Sequence, residues 1–419
     1  MRKGIVFLFF QLICFSVFSQ NINSARAVVD TLTSEYFAGR GAVDNGEKKA
    51  ANFIANHFKK QGLKSVENSF FQEFNAPINT FPKALRVSFD GQEIMPGKDF
   101  IVDAASGGAD GNFELYWQTN EHLLTKVELD KRVAEGFFTN KIVVLAIKNG
   151  GAENEVLQQL KENKIGAAGI VFIEDELTQH LSPVAKNYPI LHVRRGMLAD
   201  FTKSIYIKID QELISSYRSQ NVIGYVEGTE FPDSFIVLSA HYDHLGKMGA
   251  QTYFPGANDN ASGVALLLDL ATHYSEKEPP VKSIIFIAFG AEESGLVGSK
   301  YFVNHPTIPL AQINFVFNMD LMGTGSEGGM IVNGRIYEEH FNKLIKINKE
   351  GKYLPSIKKR GKAANSDHYW FSENGVPSFF IYLMGGVSAY HDVDDISKTL
   401  PLTKYADSFR LIRDFVDEL

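Results

Sequence analysis

The chain has 419 residues, a formal net charge of −7 and 44% hydrophobic residues. This length and apolar content are ample for a sizeable core and for two domains. An acidic chain with no basic run argues against nucleic acid as a partner.

Residues 1–19 have the pattern of a secretory signal peptide. Arg2 and Lys3 give a positive start, Ile5–Val17 is mainly apolar, and Ser19 is a small residue before a cleavage point. The apolar run is shorter than the roughly 20 residues of a membrane-spanning helix, so a retained anchor or a buried helix is the weaker reading. We expect export to the periplasm or the medium and no membrane span in the mature chain. Cys14 is the only cysteine, so the mature chain would have no disulfide and no thiol chemistry.

Residues 20–83 open the mature chain with helices. Asn45 is a candidate N-cap of a helix with an apolar face, and Gly62 is its stop signal. His57 falls on the apolar face, so we expect it to be packed rather than catalytic. Arg40 lies between two glycines and could approach an active site, but the sequence favours a surface salt bridge.

Residues 84–212 are predicted to form a separate, inserted, β-rich module. It contains one helical run, Glu153–Asn163. The predicted strands are Leu85–Phe89, Phe113–Trp117, Lys141–Ile147, Gly169–Ile173, Pro189–Val193 and Ile205–Ile209. None of them ends in clustered histidine or acidic residues. The histidines of this module, His122, His180 and His192, are therefore expected to be structural or solvated.

Residues 213–419 contain four apolar runs that lead into polar residues. Their β-branched and aromatic content is typical of strands buried on both faces. The runs are Phe235–Ala240 before His241 and Asp243, Ser283–Phe289 before Glu292 and Glu293, Ile313–Met319 before Asp320, and Ser378–Tyr382 before Tyr390 and His391. Asp259 precedes a helix-like run, Val264–Ala271. Strands that alternate with helices predict an α/β fold with a mixed, mostly parallel central sheet flanked by helices.

A sheet of this kind would place six polar side chains along one edge, because ligands bind beyond the carboxyl ends of parallel strands. These residues are His241, Asp259, Glu292, Glu293, Asp320 and His391. Imidazole and carboxylate groups are zinc ligands. Two zinc ions that share one carboxylate need five ligands, which leaves the sixth group as a base. Helix capping could explain Asp259 or Glu292 singly, but not all six residues.

The motifs HYDHLG, GANDNASG, AFGAEESGLVGS, NMDLMG, SDHYWF and YHDVDD resemble those of the co-catalytic zinc aminopeptidase family. That family also includes glutamate carboxypeptidase II and the glutaminyl cyclases. The resemblance covers about 213–419 and the opening helices, and it implies a zinc-exopeptidase fold that holds two Zn²⁺. Residues 84–212 resemble, less specifically, the protease-associated domain found in many members.

The resemblance also implies a ligand for each zinc position. Asp259 resembles the carboxylate that bridges the two ions. His391 and Glu293 would complete one position, and His241 and Asp320 the other. His244 could replace His241, but the family pattern puts the first histidine of the pair on the metal. The peptide bond between Asp259 and the next residue is often cis in family members.

Three further roles follow from the resemblance. Glu292 looks like the general base and acid, and Tyr390 like the donor that stabilises the tetrahedral oxyanion. Asp243 would hydrogen-bond the far nitrogen of His241, although it could instead bind a backbone amide.

Other polar residues near these motifs receive no ligand role. Asp367 and His368 lie near the substrate in the family pattern. The acidic residues after His391 (Asp392, Asp394 and Asp395) are expected to form a solvated turn.

The sequence therefore predicts an exported aminopeptidase that acts on peptides with a free N-terminus. A carboxypeptidase is disfavoured because only 28 residues (392–419) follow His391, too few for a helical dimerisation domain. A glutaminyl cyclase remains the enzymatic alternative, although such enzymes use one zinc ion. A non-catalytic binding ectodomain, like the transferrin receptors, is the alternative from another class, and the intact ligand set argues against it.

Overall fold

The structure is a computed structural model that describes residues 22–66, 68–147, 154–199, 202–276 and 279–419. The predicted signal segment, with Cys14, lies outside the described residues. The helices are α1 Ile22–Leu32, α2 Gly46–Lys60, α3 Lys126–Ala134, α4 Glu155–Lys161, α5 Gly263–Glu276, α6 Val297–Asn304, α7 Glu338–Gly351, α8 His368–Glu373 and α9 Tyr405–Asp417. Within these ranges, no helix combines the length and the apolar character needed to span a bilayer.

The strands form two large sheets and a small ribbon. In chain order they are β1 Lys64–Ser65, β2 Phe71–Thr80, β3 Leu85–Phe89, β4 Gln92–Ile94, β5 Phe100–Val102, β6 Ala109–Thr119, β7 Lys141–Ala146, β8 Gly169–Glu174, β9 Ile190–Arg194, β10 Ser204–Ile209, β11 Glu212–Val226, β12 Phe231–His241, β13 Lys247–Met248, β14 Thr252–Tyr253, β15 Lys282–Phe289, β16 Ile313–Met319, β17 Gly328–Val332, β18 Ile357–Lys359 and β19 Ser378–Met384.

The main sheet is mixed, and its strand order is β1-β11-β15-β12-β16-β19-β17-β18, with β2 also paired to β11. Its four central strands, β15, β12, β16 and β19, are mutually parallel. The parallel neighbours β12, β15 and β16 are connected in sequence through α5 and α6, which supply the crossovers that parallel strands require. The flanking pairs β11–β15 and β17–β19 are antiparallel, so the sheet is parallel at its centre rather than throughout.

Helices cover both faces of this sheet, and this explains the continuous apolar runs in the sequence. Along β12, Ile236 and Leu238 pack in the core that also contains α1, α2, α5 and α9. Val237 points to the opposite face and packs with residues of α6 and α8. Successive side chains of a strand alternate between faces, so a strand covered on both sides needs apolar residues at every position.

The strands β3 to β10 form a second, eight-stranded sheet, and we call residues 85–209 the second-sheet segment. Each β-type run predicted there corresponds to a strand, while α3 and the short strands β4 and β5 were not predicted. The core of this segment also takes in Leu245, Met248 and Phe254, which lie on the loop that follows β12. The second-sheet segment is therefore packed directly against the loop that leaves His241.

The start of α2 differs from the prediction. Asn45 occupies the predicted N-cap position directly before α2, but it has a φ of 57° and its side chain makes no capping bond. The backbone carbonyl of Gly41 accepts from Glu47 N instead, at 2.8 Å. His57 is half-buried on α2, with Nε2 3.1 Å from Thr272 Oγ1.

Candidate metal centre

The structure brings the six predicted residues to one edge of the main sheet. His241 is the last residue of β12 and Asp320 follows β16 directly. Glu292 and Glu293 lie on the loop after β15, and His391 on the loop after β19. Since β12, β15, β16 and β19 are parallel, their carboxyl ends meet at this edge, as expected for an α/β sheet.

The carboxylate of Asp259 lies between two histidines. Its Oδ1 is 3.2 Å from His241 Nε2, and its Oδ2 is 3.1 Å from His391 Nε2. On one side, Asp320 Oδ1 is 3.4 Å from His241 Nε2. On the other side, Glu293 Oε2 is 3.2 Å from His391 Nε2. The five side chains thus form two groups that share the two oxygens of Asp259.

The sixth residue, Glu292, joins the same centre. One ligand atom each from His241, Glu292 and Asp320 lie within 4.8 Å of one another, and so do ligand atoms of His241, Asp259 and Glu293. Glu292 is therefore within reach of the group that contains Asp320.

Burial and charge strongly perturb these groups. Burial lowers the pKa of His391, but the attraction of Glu293 and Asp259 outweighs it and raises that pKa to about 11. Burial raises the pKa of Asp259, but hydrogen bonds from His241 and His391 hold it well below the usual value. For Glu292 burial prevails, with help from the neighbouring Glu293, and its pKa lies well above the usual range. A cluster of buried, strongly coupled titratable groups is characteristic of functional sites.

The donor set fits zinc. It offers imidazole nitrogens and carboxylate oxygens, which are the ligands of catalytic zinc, and the two oxygens of Asp259 face two different histidines. Asp320 Oδ1 is buried and has no hydrogen-bond partner among the described residues. A buried carboxylate oxygen in that state is costly unless a cation is present.

Asp243 does not make the predicted hydrogen bond to His241. Its Oδ1 is 3.8 Å from His241 Nδ1, beyond hydrogen-bond distance, and that ring nitrogen lies 3.2 Å from the backbone oxygen of Asp243 instead. The carboxylate accepts from Glu292 N at 3.0 Å and from Glu293 N at 3.2 Å. Asp243 therefore fixes the loop that carries Glu292 and Glu293, which matches the alternative of a backbone-amide acceptor.

His244 contacts the centre without taking the place of His241. Its Nδ1 is 2.8 Å from Glu293 Oε1, and its ring is fully buried. Glu293 is thereby held between His244 and His391, and the two glutamate oxygens have different partners.

Arg40 was expected on the surface, and that prediction is wrong. The residue is fully buried and donates to the carbonyl oxygens of five backbone groups. These acceptors are Leu32, Tyr242, Pro255, Gly256 and Asp259, at 2.6 to 3.3 Å. Burial lowers its pKa to about 10, so it stays protonated at neutral pH. Arg40 ties the end of α1 to the stretch of chain that runs from His241 to Asp259.

Asp395 was expected in a solvated turn, and that prediction is also wrong. It is 1% exposed, and its carboxylate accepts from Asn258 N and Asp259 N at 2.9 to 3.0 Å. The backbone around Asp259 is therefore held by two charged side chains: its N–H groups donate to Asp395, and its carbonyl oxygens accept from Arg40. The peptide bond Asp259–Asn260 is cis, as the resemblance predicted.

The SDHYWF motif supports the Asp320 side of the centre. Ser366 Oγ donates to Asp320 Oδ2 at 3.2 Å and accepts from Asn318 Nδ2 at 2.8 Å. Asp367 is fully buried nearby, and burial raises its pKa to about 7. Burial also lowers the pKa of His368 to about 3, so this ring is neutral.

The second-sheet segment reaches the centre, which the sequence did not predict. The rings of His180 and His391 are 5.4 Å apart. The carbonyl oxygen of Gln179 lies 3.0 Å from His391 Nδ1. His192 lines the same cavity as Gln179 and His180, and it pairs with Asp103 at 3.0 Å, in agreement with a structural role.

Tyr390 lies at the open side of the centre. Its ring stacks on His391, with 3.9 Å between the ring centroids, and its side chain is about half exposed (48%). Burial of the hydroxyl and the charges of Asp259 and Glu293 raise the pKa of Tyr390, so the hydroxyl remains a hydrogen-bond donor.

With this geometry established, comparison with known proteins defines the class. Residues 221–416 match the family model of peptidase family M28, which assigns this part of the chain to that family. That range contains all six clustered residues. The family and its aminopeptidase members make this chain a metallo-exopeptidase, a hydrolase of peptide bonds.

Among curated proteins, the chain is similar to an aminopeptidase over most of its length. The chain is 26% identical over 365 residues to Aminopeptidase YwaD of Bacillus subtilis (strain 168), which covers 82% of this chain and 72% of that protein. It is also 26% identical over 231 residues to Vacuolar membrane protease of Candida tropicalis, but spans only 24% of that protein. Among solved structures, BSAP, a zinc aminopeptidase from Bacillus subtilis, superposes with a TM-score of 0.73 and 22% identity over 94% of both chains. At this identity the likeness shows the shared fold.

Proposed function

We propose that the chain is an exported aminopeptidase with two zinc ions, which removes N-terminal residues from peptides. The observation that carries this proposal is the position of Asp259, whose two oxygens face the Nε2 atoms of two different histidines at 3.2 and 3.1 Å. His241 and Asp320 would hold one ion, His391 and Glu293 the other, and Asp259 would serve both. When bound, the ions acidify a water molecule and polarise the substrate carbonyl.

Glu292 is proposed as the general base and acid. Its carboxylate accepts a proton from the attacking water as the new carbon–oxygen bond forms. It then returns that proton to the leaving amine as the carbon–nitrogen bond breaks. Burial and the neighbouring carboxylates raise the pKa of Glu292 in the metal-free centre, whereas two bound cations would favour its ionised form and so allow it to act as a base. Asp243 supports this role, because it fixes the amides of Glu292 and Glu293.

Two further features favour an aminopeptidase. A free N-terminal amine would bind near the metal ions and Glu292, whose carboxylate can accept a hydrogen bond from it. Tyr390 is proposed to donate its hydroxyl proton to the developing oxyanion, and its raised pKa keeps that proton in place.

The decisive experiment measures release of free amino acid from unblocked and N-acetylated peptides, with and without a chelator. We expect release from unblocked peptides alone, loss of release with chelator, and recovery with zinc. Glu292→Gln should lower kcat about 10²- to 10⁴-fold, because the base is removed while its volume is kept. Glu338→Gln, an exposed residue paired with Lys359, is the matched control and should leave activity unchanged.

The same assay separates the alternatives. Ammonia loss from peptides that begin with Gln, without release of amino acids, would identify a glutaminyl cyclase. No turnover together with no bound zinc would leave a binding ectodomain. Export is tested separately by sequencing the N-terminus of the protein recovered outside the cytoplasm, which we expect to begin after Ser19. We also propose that residues 84–212 form a protease-associated domain, which the separate second sheet supports.

A further inference from the structure

The two histidines of the centre are oriented by different parts of the chain. His241 Nδ1 lies 3.2 Å from the carbonyl oxygen of Asp243, two residues away in its own loop. His391 Nδ1 lies 3.0 Å from the carbonyl oxygen of Gln179, which is 212 residues away in the second-sheet segment. A carbonyl oxygen can only accept, so Nδ1 of each ring carries the proton and Nε2 is left free to bind a metal.

The contact between Gln179 and His391 is reciprocal. Gln179 N donates to the backbone oxygen of His391 at 2.9 Å, while His391 Nδ1 donates back to Gln179 O. Both residues are buried, at 5% and 6% exposure. Two hydrogen bonds between the same pair fix the position of the His391 backbone as well as the direction of its ring.

Other contacts hold Gln179 in the second-sheet segment. Leu177, two residues earlier, is buried in the core of that segment. Met248 Sδ, on the loop after β12, accepts from Val102 N at 3.2 Å and lies 3.8 Å from Gln179 Nε2. The loop that carries His391 also touches this segment, because Val393 packs against its core. The position of Gln179 is thus set by the way the second-sheet segment packs on the main domain.

We infer that the second-sheet segment directly orients a ligand of one metal position only, although its core also packs against the loop that follows His241. Its Gln179 backbone orients His391 and so sets the affinity of the His391–Glu293 position. The His241–Asp320 position is supported by groups of the main domain, Asp243 O and Ser366 Oγ. The two zinc ions should therefore respond differently when the packing of the second-sheet segment is disturbed. This inference rests on the proposed two-zinc function, and Gln179 acts as a positioning residue.

The test is a zinc titration of the chelator-stripped, full-length protein against a chromophoric competitor, which counts equivalents and their affinities without using activity. Gln179→Pro removes the N–H that donates to His391 O and shifts the Gln179 carbonyl. Leu177→Ala removes the side chain that holds this stretch in the core of the second-sheet segment. Gln179→Ala is the matched control, because it removes the side chain and keeps both backbone bonds. Partners that orient a metal-bound histidine affect metal affinity about 10- to 100-fold.

We expect the wild type and Gln179→Ala to bind two equivalents alike. Gln179→Pro and Leu177→Ala should weaken one equivalent about 10- to 100-fold and leave the other unchanged. In a His391→Ala background, the same substitutions should change the remaining equivalent no further, because the group they orient is already absent.

Three results would overturn the inference. One is two unchanged equivalents in a folded Gln179→Pro protein, and another is equal weakening of both equivalents by Leu177→Ala. If Gln179→Pro is recovered unfolded, the Leu177→Ala comparison decides alone. The third is a single zinc equivalent in the wild type, which would also overturn the proposed two-zinc function. If the wild type binds two zinc equivalents and the variants bind both with the same affinities, the inference is overturned and the proposed function stands.

Discussion

Arg40 places a positive charge among carboxylates without pairing with any of them directly. The hydrogen bonds of its guanidinium described here end on backbone carbonyls of the surrounding loops. Asp259, Asp395, Asp243 and Glu293 are close enough to interact with its charge. The arginine can therefore offset part of their mutual repulsion while the oxygens of Asp259 and Glu293 stay available to metal ions.

Replacing Arg40 should be strongly destabilising even when no metal is bound. Arg40→Ala leaves buried carbonyl oxygens without donors and removes the compensating charge, and we expect a loss of about 3–5 kcal/mol in the free energy of unfolding. Urea unfolding of the chelator-stripped protein measures this loss. Arg218, which is 76% exposed and paired with Glu73, provides the control, and Arg218→Ala should change stability by less than about 0.5 kcal/mol. A loss below about 1 kcal/mol for Arg40→Ala would refute this account.

The glycines on either side of Arg40 are required by the close packing of two loops. A Cβ added to Gly41 would lie 2.5 Å from Gly246 Cα. Gly39 has a φ of 64°, and a Cβ added to it would lie 2.4 Å from Gly246 O. The two glycines allow the loop after β12 to lie against this turn. The partner loop is about 200 residues away in the sequence, so a surface site was the natural reading. Asp395 was misjudged for the same reason, since its partners, Asn258 and Asp259, are distant in the chain.

At the scale of whole elements, the sequence was most informative where burial is complete. The central strands β12, β15, β16 and β19 were all predicted, because a strand covered on both faces must be apolar at successive positions. Their carboxyl ends then placed the polar residues correctly. In the second-sheet segment the elements that were missed, α3, β4 and β5, are polar or only three residues long. In the main sheet the flanking strands β2, β17 and β18 were also not predicted. The contact of Gln179 with His391 was invisible in the sequence because Gln179 hydrogen-bonds to His391 through its backbone atoms only.

The second-sheet segment contains an ion pair that should make its stability depend on pH. Burial lowers the pKa of His192, but hydrogen bonds with Asp103 and Glu174 outweigh it and raise that pKa to about 9. A histidine whose pKa is higher in the folded than in the unfolded protein stabilises the fold. This contribution is complete at a pH below the unfolded pKa of about 6.5, and it is lost as the pH rises through the folded pKa of about 9. The free energy of unfolding of the wild type should therefore exceed that of His192→Gln at pH 6, and this difference should shrink by about 1–2 kcal/mol between pH 6 and pH 10, after allowance for solvent screening.

Fluorescence can report this effect for the second-sheet segment alone. Trp117 lies on β6 and Trp370 on α8, and these are the two tryptophans of the chain. Urea unfolding followed by Trp117 in a Trp370→Phe background gives the free energy at each pH. His122→Gln, at an exposed position, is the control and should show no pH-dependent difference from the parent. An advantage of the wild type that grows with pH would contradict the assigned direction.

At the scale of the whole molecule, the candidate metal centre connects parts of the chain that are far apart in sequence. The proposed ligands lie between His241 and His391, on loops that follow four different strands. Arg40 connects the N-terminal turn to the centre through its hydrogen bond to Asp259 O, and Gln179 connects the second-sheet segment to it through His391 Nδ1. Without cations, the carboxylates at this edge repel one another, and the repulsion acts on every element that carries one. Metal binding and global stability should therefore be coupled.

Chelation should lower the melting temperature of the whole protein, and zinc should restore it. A ligand at a thousandfold excess over its Kd stabilises the folded state by about 4 kcal/mol, so two ions would raise Tm by several degrees or more. Differential scanning calorimetry with and without chelator measures the shift. Asp259→Asn removes the shared carboxylate, so zinc should raise its Tm much less. Its chelated form should be less stable than the chelated wild type, because the amide loses the attraction of His241 and His391 that holds the Asp259 carboxylate ionised. If zinc raised the Tm of Asp259→Asn as much as that of the wild type, Asp259 would not bridge the two ions. The centre would then have to be assigned to two independent sites.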